Sequence, residues 1–158
     1  MIVAVGTDHA GFPLKETVAQ VLRESGVDGG PGGGGHQLLD CGAQSVVPGD
    51  DYPDYARAVA EAVLQKRAER GIILCGSGVG ASVAANKFAG IRAALCHDTF
   101  SARQGVEDDA MNVLCLGARV IGPALAAEVV RAFLRATFSD AERHRRRVAK
   151  IQEFERRL

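Results

Sequence analysis

No two cysteines in this sequence are spaced as CxxC; the four present, Cys41, Cys75, Cys96 and Cys115, are scattered along the chain. Three of them lie in or at the end of apolar, strand-like runs, which argues against a disulfide framework or a zinc site. No apolar run approaches the ~18 residues that a membrane span requires. The opening MIVAVGTDHAG lacks the basic segment of a secretory leader, so none is expected. Neither sign of charge is in excess. Nineteen basic residues face nineteen acidic ones, which removes the global field that favours nucleic acid or an anionic membrane. Together these absences predict a reduced, cytoplasmic protein with neither a nucleic-acid nor a membrane partner.

What is present suits a folded α/β domain. The chain has 158 residues, 47% hydrophobic and 24% charged, within the roughly 100–200 residues of one domain, so residues 1–158 are read as a single unit. Short apolar runs alternate with longer helical patterns. Ile2–Gly6, Gln37–Cys41, Gly71–Cys75, Ile91–Cys96 and Val113–Leu116 read as strands. Helical spacing runs over Phe12–Ser25, where Leu14, Val18, Val21 and Leu22 share a face, and from a start at Asp50–Pro53 through Tyr55, Val59, Ala62 and Val63. Further helical stretches fall near 79–88, 99–106 and 122–137, with a basic one over 141–156. Gly26–Gly35, with seven glycines and a proline, is expected to be a mobile surface loop. Continuously apolar strands such as GIILC belong in a sheet covered on both faces. The alternation therefore predicts a three-layer α/β/α domain with about five mostly parallel strands. In such sheets ligands bind beyond the carboxyl ends of the strands.

Chemistry-bearing residues sit at those ends. Asp8 and His9, between Gly6 and Gly11, either bind a substrate or form a tight turn that caps the next helix. After the third strand comes Cys75-Gly76-Ser77-Gly78-Val79-Gly80, where glycines at alternate positions allow successive N–H groups to converge on a phosphate or an enediolate oxygen. Cys75 lies at the rim of this nest, where the same field is expected to lower its thiol pKa; the alternative is a small core cysteine beside a tight turn. Gly76-x-Gly78-x-x-Ala81 also satisfies GxGxxG/A, and Asp98 follows about 20 residues on, so a nucleotide-binding reading stands beside the first. The tyrosine-phosphatase and P-loop patterns fail: Ala81 stands where the former needs Arg, and no Gly-Lys-Ser/Thr occurs. His97 can point into the site, Asp98 or Thr99 can cap a helix, and Arg119 is placed to bind phosphate. In the last helix Arg143 and Arg147 are four apart, so they share a face and can clamp one phosphate.

The segments DHAGFPLK, DYPDYA, ILCGSGVGASVAANKFAGIRAALCHDT, NVLCLGARVIG and ERHRRRV together resemble the ribose-5-phosphate isomerase B family, which includes the LacA/LacB galactose-6-phosphate isomerase subunits. The resemblance spans nearly the whole chain. It implies a Rossmann-like fold, a homodimer, in some members paired into a tetramer, with sites at the subunit interface, no metal or organic cofactor, and aldose–ketose isomerisation of a sugar phosphate through an enediolate. One branch of the family uses a Cys before the Gly-rich loop as base and another a Glu within it; Cys75 and Ala81 place this chain with the former. By the same resemblance Cys75 moves the proton between C1 and C2 and Ser77 shuttles the hydroxyl proton. The amides from Gly76 through Gly78 to Gly80 hold the enediolate. Asp8 meets the sugar near its ring oxygen, and His9, Arg119, Arg143, His144 and Arg147 surround the phosphate, some reaching across from the partner.

One position departs from the pattern. Ribose-phosphate members carry a ring-opening His, followed by Asn or Asp, shortly before the fifth strand; here those places hold Asp108 and Asp109. An ordinary Asp titrates at about 3.9, far from neutrality. Three expectations follow: Asp108 opens the ring less well, His97 takes the role, or the substrate needs no ring opening, as with a tetrose 4-phosphate. A non-catalytic sugar-phosphate or nucleotide-binding module is the rival from another class.

Overall fold

The computed structural model describes residues 1–24 and 35–156. All but Gly35 of the glycine-rich stretch lies outside the described residues. Five strands, β1 (Ile2–Thr7), β2 (Gln37–Asp40), β3 (Arg70–Cys75), β4 (Ala93–Leu95) and β5 (Val113–Gly117), form one sheet in the order β2-β1-β3-β5-β4. Every pairing is parallel, so the expected mostly parallel sheet is parallel throughout. The helices are α1 (Lys15–Glu24), α2 (Tyr52–Leu64), α3 (Val79–Ala85), α4 (Thr99–Asp109), α5 (Pro123–Arg135) and α6 (Glu142–Glu155).

The two sheet faces carry separate cores because side chains alternate along each strand. Val3, Val5, Ile72, Leu74, Leu114 and Leu116 pack with α1, α4 and α5, while Ala4, Ile73, Val113 and Cys115 pack with α2 and α3. Arg70 joins the amino end of β3 to the end of α5: its guanidinium donates to the Phe133 and Ala136 carbonyls and lies over the Phe133 ring. These are the carbonyls a helix leaves unpaired at its last turn.

Some boundaries differ from expectation for identifiable reasons. At the sheet edge, β4 is shorter than Ile91–Cys96, and the Asn86 amide pairs with both the N–H and the C=O of Ala93 at 2.8 Å. A side chain thus covers part of an otherwise open edge. The same Asn86 follows α3, which ends three residues early. Helix α4 continues to Asp109 and stops where Ala110 takes a left-handed conformation, φ 51°.

From β1 the chain moves to β2 on one side and later to β3 on the other, so connections diverge between β1 and β3. A crevice opens at such a switch point beyond the carboxyl ends. Two glycines are needed to build it. A Cβ on Gly11 would lie 2.2 Å from the Leu74 carbonyl, and Gly78, at φ 80°, has Leu95 and the Leu116 carbonyl against it. The turn after β1 is therefore pressed onto the end of β3.

Candidate active site

Strand β1 delivers Asp8 and β3 delivers Cys75 to neighbouring places at the switch point, and their side chains meet. Cys75 Sγ donates to Asp8 Oδ2 at 3.2 Å, while Asp8 Oδ1 accepts the Gly11 N–H at 2.8 Å. Both residues are buried, 8% and 4% exposed. Burial pushes the Cys75 thiol up, the Asp8 carboxylate adds to the rise, and the Gly76 and Gly78 amides offset it only in part. The expectation of a lowered thiol is thereby corrected. The Gly76 and Gly78 amides do act on the sulfur, but burial first, and the carboxylate at hydrogen-bond distance second, outweigh them.

His9 is held from the other side. Its backbone N–H reaches both Asp50 oxygens at 3.1 Å, and its Nδ1 lies 2.5 Å from Asp50 Oδ1. Tyr55, one turn into α2, donates its hydroxyl to Asp50 Oδ2 at 3.0 Å. Burial acts to raise the Asp50 pKa, but the bonds from His9 and Tyr55 leave it below the usual carboxylate range. With Nδ1–H engaged, His9 keeps Nε2 for another partner. Sequence reasoning assigned Asp50 only to a helix start; the structure gives it the orientation of His9, for which no spacing in the sequence was a signal. Asp8, His9 and Asp50 also bring three ligand atoms within 4.8 Å of one another, the grouping among the described residues that could hold a metal ion.

Beyond β3 the loop exposes Ser77, whose hydroxyl accepts the Val79 N–H. The turn after β5 folds onto it, with Ala118 N–H bonded to the Cys75 carbonyl and Arg119 N–H to that of Gly76. This places the exposed Arg119 side chain beside Gly76. A Cβ on Gly80 would meet the Tyr52 ring at 2.6 Å, so α2 closes the far side of the loop. His97 Nε2 accepts the Gly117 N–H at 3.0 Å, which puts this imidazole at the same end of the sheet as Cys75. Asp98 caps α4 by accepting the Ser101 N–H at 2.7 Å, a role that removes the support it lent to nucleotide binding.

The remaining candidates form a second cluster at the opposite end of the sheet. Helix α4 starts beside the carboxyl end of β4 and runs back antiparallel to the strands, so Asp108 lies about 14 Å along it, near the strands' amino ends. There Asp108 meets α6: His144 Nδ1 is 3.4 Å from Asp108 Oδ1 and 2.6 Å from the Ser139 hydroxyl. His144 Nε2 accepts from Arg143 Nε at 2.8 Å. The imidazole is 3% exposed with both nitrogens engaged, one of them by Arg143. Arg143 and Arg147 are exposed on that helix. Asp109 lines an apolar cavity of about 420 Å³ with Met111, Ile151 and Phe154. Within one chain, then, Asp108, Asp109, Arg143, His144 and Arg147 do not meet Cys75.

Among known proteins, the family described as ribose/galactose isomerase matches residues 3–151. The chain is 42% identical to ribose-5-phosphate isomerase B of Escherichia coli K12 over 98% of its length and 97% of the relative's. It is 40% identical to D-erythrulose-4-phosphate isomerase of Pectobacterium atrosepticum, covering 86% of this chain and 84% of that one. The solved structure of type B ribose 5-phosphate isomerase from Trypanosoma cruzi superposes with a TM-score of 0.91 at 39% identity, each chain fully covered.

Proposed function

The chain belongs to the ribose/galactose isomerase family, and from that premise we propose that it is an aldose–ketose isomerase that converts ribose 5-phosphate to ribulose 5-phosphate in the cytoplasm. The buried Cys75–Asp8 pair under a glycine nest, at the switch point of a parallel sheet, carries this reading. Isomerisation needs a base that removes the C2 proton and returns it to C1, and donors for the oxygen that becomes negative between those steps. Cys75 supplies the base, the amides of the 76–80 loop supply the donors, and Ser77 passes the hydroxyl proton between O2 and O1. His9 and Arg119 hold the phosphate end. Each step is a proton transfer, for which these side chains suffice without an organic cofactor or metal.

We place the second cluster in the same reaction through a homodimer, in which Arg143, Arg147 and Asp108 of one copy complete the crevice of the other. Supporting this, exposed arginines four apart on α6 lie at the end of the sheet that cannot reach their own Cys75.

A four-carbon substrate is the second reading. It is favoured by Asp108 standing where an imidazole is expected, and by the similarity to a D-erythrulose-4-phosphate isomerase. Ketose formation from ribose 5-phosphate and from erythrose 4-phosphate, measured side by side with EDTA present, separates the two. A comparable or higher rate on the five-carbon sugar supports the first; strong preference for the four-carbon sugar replaces it with the second. Turnover of neither overturns both.

A further inference from the structure

Three polar or charged side chains are buried among the described residues. Thr7 and Asp8 belong to the crevice, while the third, His144, is 3% exposed on α6 in the second cluster. Burying an imidazole costs free energy unless its nitrogens are bonded, and here both are. Nδ1 lies 2.6 Å from the Ser139 hydroxyl and 3.4 Å from Asp108 Oδ1, and Nε2 accepts the Nε–H of Arg143 at 2.8 Å. Because Nε2 accepts, the ring carries its proton on Nδ1, where a hydroxyl and a carboxylate both stand as acceptors.

The frame around the imidazole is itself held. Gln104 donates to Asp108 Oδ2 at 2.7 Å, and the Ser139 N–H reaches the Glu107 carbonyl at 2.9 Å, so both partners of Nδ1 are tied to α4. Asp140, left-handed at φ 53°, turns the chain from Ser139 towards α6. The exposed arginines of that helix differ in what they meet. Arg145 and Arg146 pair with the carboxylates of Asp140 and Glu142. Arg143 is gripped instead through Nε by a neutral ring, which fixes the plane of the guanidinium without cancelling its charge. Among the described residues its Nη1 and Nη2 have no partner. A guanidinium held in this way retains the two donors that match a pair of phosphate oxygens.

Resting on the isomerase reading above, in which Arg143 binds the phosphate of the sugar, we propose that His144 is a positioning residue. Its Nε2, kept an acceptor by Ser139 and Asp108, sets the orientation in which Arg143 meets that phosphate. The imidazole thus acts on substrate only through the arginine.

The test uses variants of the full-length protein and three readouts: steady-state kinetics on ribose 5-phosphate, calorimetric binding of inorganic phosphate, and melting curves. His144→Asn keeps a polar group near the place of Nδ1 and loses the acceptor at Nε2. His144→Gln reverses this, setting an amide oxygen near the place of Nε2. The proposal expects His144→Asn to weaken phosphate binding and raise KM together by about tenfold, the low end for loss of a group that orients a ligand-holding side chain, with kcat changed less. His144→Gln recovers most of that loss. In the double variant Arg143→Ala/His144→Asn, KM equals that of Arg143→Ala alone, since the two residues act as one. If Asn and Gln lower the melting temperature alike and neither moves KM or phosphate binding, His144 merely ties α6 to α4 and the proposal is overturned. Additive losses in the double variant overturn it as well. A protein without isomerase activity whose phosphate binding still follows this pattern sinks the functional reading and leaves the positioning role in place. Should the His144 variants fail to fold, the ring 15N shifts of the unmutated protein decide: a bare Nε2 with protonated Nδ1 supports the proposal, and a proton on Nε2 refutes it.

Discussion

Cys75 and Asp50 show how little a residue's chemistry follows from its type alone. The thiol is inert where it lies in a core, and Cys115, 0% exposed on the neighbouring strand, is pushed far up by burial. Cys75 differs because its strand ends at a crevice with amides on one side and a carboxylate on the other. Cys75→Ala is expected to reduce kcat on sugar phosphate by about a thousandfold or more, with the thermal midpoint nearly unchanged; steady-state assays and melting curves read the two effects separately. At Asp50 the sign of the pH effect is fixed by its bonds. Its folded pKa lies below the unfolded one, so this group stabilises the fold above the ordinary carboxylate range and loses that contribution as pH falls through the depressed value. Asp50→Asn is therefore expected to show a smaller drop in melting temperature between neutral and acid pH than the unmutated chain. KM for the phosphate substrate should rise as His9 loses its anchor. Sequence made Cys75, Asp8 and His9 visible because they flank glycines at strand ends. Asp50 escaped because its partner is 41 residues away and the contact exists only once α2 packs beside β1.

At the scale of elements, the strands were legible because continuous apolar runs bounded by polar turns allow few alternatives. All five were located, and β4 alone was clearly misjudged in length, spanning Ala93–Leu95 within the expected Ile91–Cys96. The order of strands was not legible. Strand β5 sits between β3 and β4, a placement fixed by packing between helices that local pattern does not encode. One glycine exposes the constraint directly. Gly11→Ala would place a methyl 2.2 Å from the Leu74 carbonyl oxygen, where backbone must move. This variant is expected to lose about 3 kcal/mol or more in urea unfolding, at the upper end for overpacking, and to lose activity with it because Asp8 moves too.

The whole molecule has its candidate residues at two ends of one sheet. Asp8, His9, Cys75, Ser77 and Arg119 occupy the carboxyl ends of the strands, while Asp108, Arg143 and Arg147 occupy the amino side. Sequence could name both groups but could not separate them, because separation follows from α4 running antiparallel to a parallel sheet. On the proposed shared site, such a chain turns over substrate only when a second copy brings its arginines to the first copy's Cys75. The most direct test mixes two defective proteins, Cys75→Ala and the double variant Arg143→Ala/Arg147→Ala, by co-expression at equal levels. Each alone is expected to be nearly inactive on ribose 5-phosphate. Random pairing makes half the dimers hybrid, each with one intact site of two, so the mixture should recover about a quarter of the unmutated activity. No recovery despite proven hybrid formation would contradict the shared site, as would full activity in either variant by itself.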